Sequence, residues 1–301
     1  MYQLSKLLVV AGVVFPALII YAETITNGAV SLDDLGNQMR KARDEVKWGV
    51  LLPVCDQVLE RKDAPKSSRA QAKLYRVDAL AGMKTAPDKV AEEYARLEND
   101  EDFVDLWPIQ LRLGEAQYCC SCSGLETQGI KAAGSGMALV RKAMEKSSQK
   151  PDKNLWDRMF LILNARIKGL DRTDSDDEAA EEAYALLKEA DQAGVALSFG
   201  LMQGPLDSTA TYFSKAKAND KVLESAAWVL GIVGRTADAV EVGRALARMQ
   251  DHLTASVKNG AAEEARAKMK AALLAIEKID FKNKKDAILV IEQAKTYAAK
   301  F

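Results

Sequence analysis

Histidine is almost missing from this chain. His252 is the single one, so a site built from several imidazoles is excluded, although a thiolate or carboxylate site survives that test. Aromatic residues make up only 6% of the sequence, which suits alanine-packed helices better than a compact enzyme core. Net charge is nearly absent as well. The 42 Lys+Arg and 43 Asp+Glu leave a formal charge of -1, so nothing draws the whole chain toward nucleic acid or an anionic membrane. Three catalytic signatures are missing: the phosphate loop G-x-x-x-x-G-K-[ST], the dinucleotide fingerprint G-x-G-x-x-G and the nucleophile elbow G-x-S-x-G. No cofactor or metal is therefore assigned. What the chain has instead is 48% hydrophobic residues over 301 positions. That content excludes disorder, and the length allows one extended domain or two compact ones.

The N-terminus reads as an export signal. Lys6 supplies a positive start, Leu7 to Ala22 run without a charge as LLVVAGVVFPALIIYA, and Glu23 ends the run. Ile20 and Ala22 stand at the -3 and -1 positions of a cleavage after Ala22, the layout of a secretory signal peptide. The run is short for a membrane span, which needs about 20 residues, and Pro16 suits a helix break within it. The alternative is an uncleaved anchor, which would make this segment the chain's one membrane contact. No Cys follows the run, so a lipid anchor is not expected. Residues 1–22 are thus expected to be the signal and 23–301 the functional domain, outside the cytoplasm in either case.

The remainder reads as helix after helix. Ser31 can cap a first helix carrying Leu32, Leu35, Met39, Ala42 and Val46 at steps of three or four. Pro53 falls near the start of the next, and Pro87 opens another with Val90, Ala91, Tyr94 and Leu97. Further windows are expected at 103–118, 125–147, 153–169, 176–193, 208–217, 221–233, 236–250, 252–279 and 284–299. Short polar breaks such as DAPKSS, SSQKPD and DRTDSD separate the windows. No strand alternation bounded by hairpin turns is present. The expected fold is all-α, roughly a dozen helices stacked as antiparallel hairpins.

In AAWVLGIVGRTADAVEVGRALARM, residues Ala226, Ala227, Gly231, Ala239 and Gly243 are small enough for two helices to approach closely. Gly234-Arg235-Thr236 supplies a turn and Thr236 a cap. This stretch resembles a tetratricopeptide repeat. Lys73 to Leu97 is similar in kind, and Trp107, Leu113, Gly114 and Tyr118 resemble the first helix of such a unit, with a longer Trp-to-LeuGly spacing. The resemblance implies an α-solenoid that binds a protein or peptide in a groove formed by the first helices of successive hairpins. It does not imply catalysis.

Four cysteines stand in the chain: Cys55, Cys119, Cys120 and Cys122, the last three in YCCSCSG. Export makes disulfides the expected use, and four cysteines allow three pairings. A bond between the neighbours Cys119 and Cys120 is strained, so a bridge from Cys55 to one member of the cluster is preferred, closing a loop of about 65 residues. Cys119 and Cys122 also form a C-x-x-C pair, a spacing used in redox chemistry and soft-metal sites. Haem attachment is excluded by Ser123, which stands where a His is needed.

A second resemblance sits at Phe199 to Phe213, FGLMQGPLDSTATYF. Gly200, Leu201, Met202 and Gln203, with Ser208-Thr209-Ala210 more loosely, resemble the GLMQ signature of lytic transglycosylases, which cleave peptidoglycan with one catalytic Glu. Glu182 and Glu189 flank the place where that Glu is expected, but neither is followed by the Ser of the family pattern. The one Glu-Ser pair, Glu224-Ser225, comes after the motif.

His252 beside Asp251, at an expected helix start, reads as an ordinary surface residue. Seven acids, Asp171, Asp174, Asp176, Asp177, Glu178, Glu181 and Glu182, cluster against Arg172 alone. Ser175 is expected to cap the helix they open, whose dipole favours them. The last 50 residues lean basic (Lys268, Lys270, Lys278, Lys282, Lys284, Lys285) with few aromatics, a solvated face and no nucleic-acid site. The sequence reads as an exported, non-enzymatic helical-repeat scaffold or adaptor, with a cell-wall-cleaving enzyme and a thiol redox or metal protein as alternatives.

Overall fold

The computed structural model describes residues 30–301. The signal segment therefore lies outside the described residues. Those residues hold thirteen α-helices and one 3-10 turn, and no strand. The helices are α1 (Leu32–Asp44), α2 (Trp48–Glu60), α3 (Lys66–Gly82), α4 (Pro87–Leu97), α5 (Trp107–Cys119), α6 (Glu126–Lys146) and α7 (Lys153–Arg172). They continue with α8 (Asp176–Gln192), α9 (Phe199–Lys215), α10 (Asn219–Gly234), α11 (Ala239–Lys258), α12 (Glu263–Ala275) and α13 (Lys284–Ala298). The fold is all-α, as expected. Among the described residues no helix is long and apolar enough to cross a membrane.

The chain divides into two units, residues 30–86 with 100–104 and residues 87–99 with 105–301. The first is a three-helix unit. Ser31 caps α1 by accepting from the Asp34 amide at 3.1 Å, as its position suggests. Leu35, Met39, Leu51, Val54, Cys55 and Ala72 meet in its core. The Trp48 indole lies over Gly82, where a Cβ would come within 2.2 Å of the ring, so only glycine fits. Residues 100–104 return to α3. There Asp102, 2% exposed, takes Arg69 Nε at 3.0 Å and Lys73 Nζ at 2.7 Å, while Lys73 also reaches Asp100 at 2.6 Å.

In the second unit helices touch their neighbours and the helices beyond them. α5, α7, α9, α11 and α13 meet in one row, and α8, α10 and α12 in another. α7 is the central element. Asp152 caps it at the Leu155 amide, and Trp156, Met159, Phe160, Ile162, Leu163 and Ile167 are all buried. From α8 onward, polar groups link residues 40 to 44 positions apart. Glu241 of α11 accepts from the Phe199 amide at 2.6 Å and so caps α9, and Asp220 of α10 does the same for Ala262 ahead of α12. The linked partners lie further apart than the roughly 34 residues of a tetratricopeptide unit.

Several local expectations are corrected. Helix α9 begins at Phe199, so the whole GLMQ fragment is helical. The break expected at residue 251 falls at Asn259-Gly260, where Gly260 takes φ +84°, and His252 lies half-buried inside α11. Thr236 does not cap α11. Asp238 does, accepting from Val240 at 2.9 Å, while the Thr236 hydroxyl donates to the Val233 carbonyl. Ser175 makes no side-chain cap on α8. Gly231 and Gly243 serve contacts other than their own hairpin: a Cβ on the first would strike Asp191 of α8 and one on the second would meet Val290 of α13.

Candidate functional site

All four cysteines are free, so the expected bridge from Cys55 is not formed. Cys55, Cys119 and Cys120 are buried thiols instead. Cys55 sits in the α1–α3 core, and burial pushes its thiol up to about 12. Cys119, at the end of α5, is likewise pushed to about 12, and Cys120 to about 11. Cys120 is enclosed by two glycines. A Cβ on Gly129 of α6 would lie 2.5 Å from its sulfur and backbone nitrogen, and one on Gly169 of α7 would lie 2.7 Å from its sulfur. These thiols stay neutral and act as small apolar side chains that let three helices converge. Cys122 is half-buried beside Tyr118, whose hydroxyl burial and that thiol push up to about 12. Among the described residues no group of three or more His, Cys, Asp or Glu could hold a metal ion.

The GLMQ fragment has a packing explanation. Pro205 has no N–H, so the Leu201 carbonyl one turn earlier loses its helical donor. Asn164 of α7 supplies the replacement, donating from Nδ2 to Leu201 O at 2.9 Å and to Phe160 O at 2.8 Å. Gly204 makes the approach feasible, since a Cβ there would lie 2.0 Å from the Asn164 amide oxygen. Gly204, Pro205 and Asn164 thus form one helix-crossing device. Glu182 is held by Arg166 through two hydrogen bonds of 2.6 and 2.8 Å. Glu189 is held by Arg141 through two of 2.8 and 2.9 Å. Glu224 accepts from the Tyr184 hydroxyl at 2.5 Å and from Lys268 at 3.0 Å, linking α8, α10 and α12.

A groove of about 420 Å³ lies between α7 and α9, with Ile167 and Tyr212 among its lining. Asn164, Lys168 and Asp171 line one wall at helical spacing, Gly204, Asp207, Ser208 and Thr211 line the other, and Asp176 stands at the rim. The carboxylates differ in their partners. Asp207 is neutralised by a two-point pair with Arg248 of α11, at 2.7 and 2.8 Å. Asp176 has only a 4.0 Å contact with exposed Lys215. Asp171 has no hydrogen bond or ion pair among the described residues, and burial followed by the nearby charge of Asp176 raises its pKa. Lys168 donates to Ser121 Oγ at 2.9 Å. Asp171 and Asp176 are both exposed at this groove and open to a cation or hydrogen-bond donor from outside.

Sequence reasoning grouped Asp171 and Asp176 with the acids around the start of α8, took Ser208 as part of the GLMQ resemblance and passed over Lys168 and Asp207; Asp171 in fact lies in the last turn of α7. The available signal was a polar face at i, i+4, i+7 on α7, at Asn164, Lys168 and Asp171, within an otherwise apolar helix. No family model matches this chain, and neither a curated protein nor a solved structure matches it.

Proposed function

We propose that the chain is an exported helical-repeat protein that binds a protein or peptide ligand in a bacterial-type cell envelope or outside the cell, and that it acts by binding and not by catalysis. The observation that carries this reading is the groove between α7 and α9, where the unmatched Asp171 and weakly paired Asp176 face a ligand-sized space. A peptide with a lysine or arginine side chain supplies the missing cation. The Asn164 bond to the Leu201 carbonyl supports it, because it ties the two walls, α7 and α9, at fixed separation without a ligand. The leader at Lys6 to Ala22 supports export, with Ala22 as the cleavage residue.

The test is cross-linked capture from native envelope, with partners identified, by the wild type and by Asp171→Asn with Asp176→Asn. A partner recovered by the wild type and reduced at least about tenfold by the double variant carries the reading. Equal recovery by both removes the groove from it, and a peptidoglycan-turnover activity lost in Glu182→Gln or Glu189→Gln replaces it with the enzyme alternative. The N-terminal residue of the mature protein, expected to be Glu23, tests export.

A further inference from the structure

The outward face of α13 carries the two most exposed large apolar side chains of the second unit. Leu289 is 70% exposed and its neighbour Ile288 59%. Single exposed leucines are ordinary on a protein surface; these two belong to a stripe. By the helical period, Lys285, Ile288, Leu289, Glu292 and Thr296 fall within about 100° of arc, and all five are exposed. Ala287, Val290, Ala294 and Tyr297 are buried on the opposite side. There Val290 lies against Gly243 of α11, and the Tyr297 hydroxyl donates to Gln250 at 2.6 Å. α13 is an end helix of its row. The outer face of an end helix in a stack is ordinarily polar, because an apolar one stays in contact with water.

Two opposite charges stand in this stripe without partners. Neither Lys285 nor Glu292 has a side-chain hydrogen bond or ion pair among the described residues. They are separated along the axis by about 10 Å and do not meet each other. The lysines nearby are already paired, Lys295 with Glu277 at 2.6 Å and Lys284 with Asp280. The stripe is complementary to itself. Lys285 and Glu292 each stand three residues outside the Ile288–Leu289 pair. When two copies of α13 lie antiparallel about a two-fold axis between residues 288 and 289, Ile288 is level with the partner's Leu289 and Lys285 with the partner's Glu292. That one operation gathers four apolar side chains and forms two ion pairs. A parallel pairing sets lysine against lysine and glutamate against glutamate.

We propose that the exposed face of α13 docks a second copy of this chain in antiparallel register, giving a closed two-fold dimer with reciprocal Lys285–Glu292 pairs around an Ile288–Leu289 centre. One face of a 15-residue helix, about 22 Å long and about 10 Å wide, is smaller than the roughly 800 Å² per partner of a standard interface. The dimer is therefore weak and governed by concentration. Burial of the four apolar side chains drives it, and the charges fix its direction. The inference goes beyond the peptide-binding reading and uses no residue of the α7–α9 groove, so either can fail alone.

The test is sedimentation velocity of the full mature chain from about 1 to about 500 μM, with reductant present so that no free cysteine links two copies. The mass is expected to rise from one chain toward two and to stop there. Lys285→Glu alone, or Glu292→Lys alone, sets like charges across the two-fold axis and is expected to weaken association at least about tenfold. The double exchange, Lys285→Glu with Glu292→Lys, restores opposite pairs in reversed order and is expected to bring association back to within about threefold of wild type. Leu289→Asp is expected to leave single chains. These side chains are exposed, so every variant is expected to keep the helix content of the wild type by circular dichroism. A single-chain mass at every concentration, growth past two chains, single variants that associate as the wild type does, or a double exchange that fails to restore association overturns the proposal.

Discussion

The two units of this molecule secure their helices by different physics. In residues 30–86 with 100–104, a buried carboxylate does much of the work. Asp102 gathers Arg69, Lys73 and its neighbour Asp100 and ties the returning strap to α3. In the α5–α13 region, close contact between small residues dominates, with polar links laid over it from helix to helix. A charge-centred fastening is strong but depends on pH, because desolvated ions must remain paired. A contact between glycine and a thiol carries no titratable dependence at ordinary pH and tolerates no added atom. Five substitutions test that contrast.

The largest effect is expected at Gly129. A methyl there meets the Cys120 backbone nitrogen at 2.5 Å, which cannot move without shifting the end of α5. Gly129→Ala is expected to cost about 3 kcal/mol in chemical denaturation, and Cys120→Ala is expected to leave that cost in place. Gly169→Ala differs, since the nearest atom is the Cys120 sulfur at 2.7 Å. Its smaller cost, about 1–2 kcal/mol, is expected to be partly relieved by Cys120→Ala. Equal rescue at both positions would remove the backbone from the explanation.

The strap comes next. Arg69 foremost, with Lys73, holds Asp102 at about 2, against an ordinary value of 3.8. A carboxyl whose folded pKa is depressed contributes stability above its unfolded value and loses it as pH falls. The contribution is therefore expected to be complete above about pH 5 and lost between pH 4 and 2, and to amount to about 2 kcal/mol. Asp102→Asn is expected to remove that acid limb from the denaturation midpoint of this unit and to lower stability at neutral pH. An unchanged acid limb in the variant would place the dependence on another group.

How much of this was legible beforehand varies with the range of the interaction. Helix positions, the Ser31 cap and the all-α class follow from local spacing and local donors, and these were readable. The helix start at Phe199 was not, because Gly200, Gly204 and Pro205 disfavour helix locally and are outweighed by partners on other helices. Glu241 caps that start from 42 residues away, and Asn164 repairs the proline gap from α7. Cysteine use was missed for the same reason: enclosure of Cys120 by Gly129 and Gly169 is a three-helix property without a local signature. Asp171 was read as one of a cluster of acids around the next helix start, and its place at the end of α7 without a protein cation shows only when the groove walls are assembled. The Asn164–Pro205 relation is open to direct measurement. Asn164→Leu is expected to cost about 1–2 kcal/mol by stranding the Leu201 carbonyl. In a Pro205→Ala background, where residue 205 regains its N–H, the cost is expected to fall by about half, and full additivity would break the link.

The smallest effect on stability is expected where the effect on binding is largest. Burial, then the charge of Asp176, raises the Asp171 pKa. A group whose folded pKa is raised contributes stability below its unfolded value and loses it as pH rises through the folded one. At neutral pH the ionised Asp171 is therefore a slight burden on the fold. Asp171→Asn is expected to leave the denaturation midpoint unchanged or slightly raised, with no acid limb of the kind expected for Asp102. The same substitution is expected to weaken capture of a basic peptide ligand. A carboxylate that detracts from stability and matters for binding belongs to a site; one whose removal lowers stability as the loss of Asp102 does belongs to the fold, and that result would return Asp171 to a structural role.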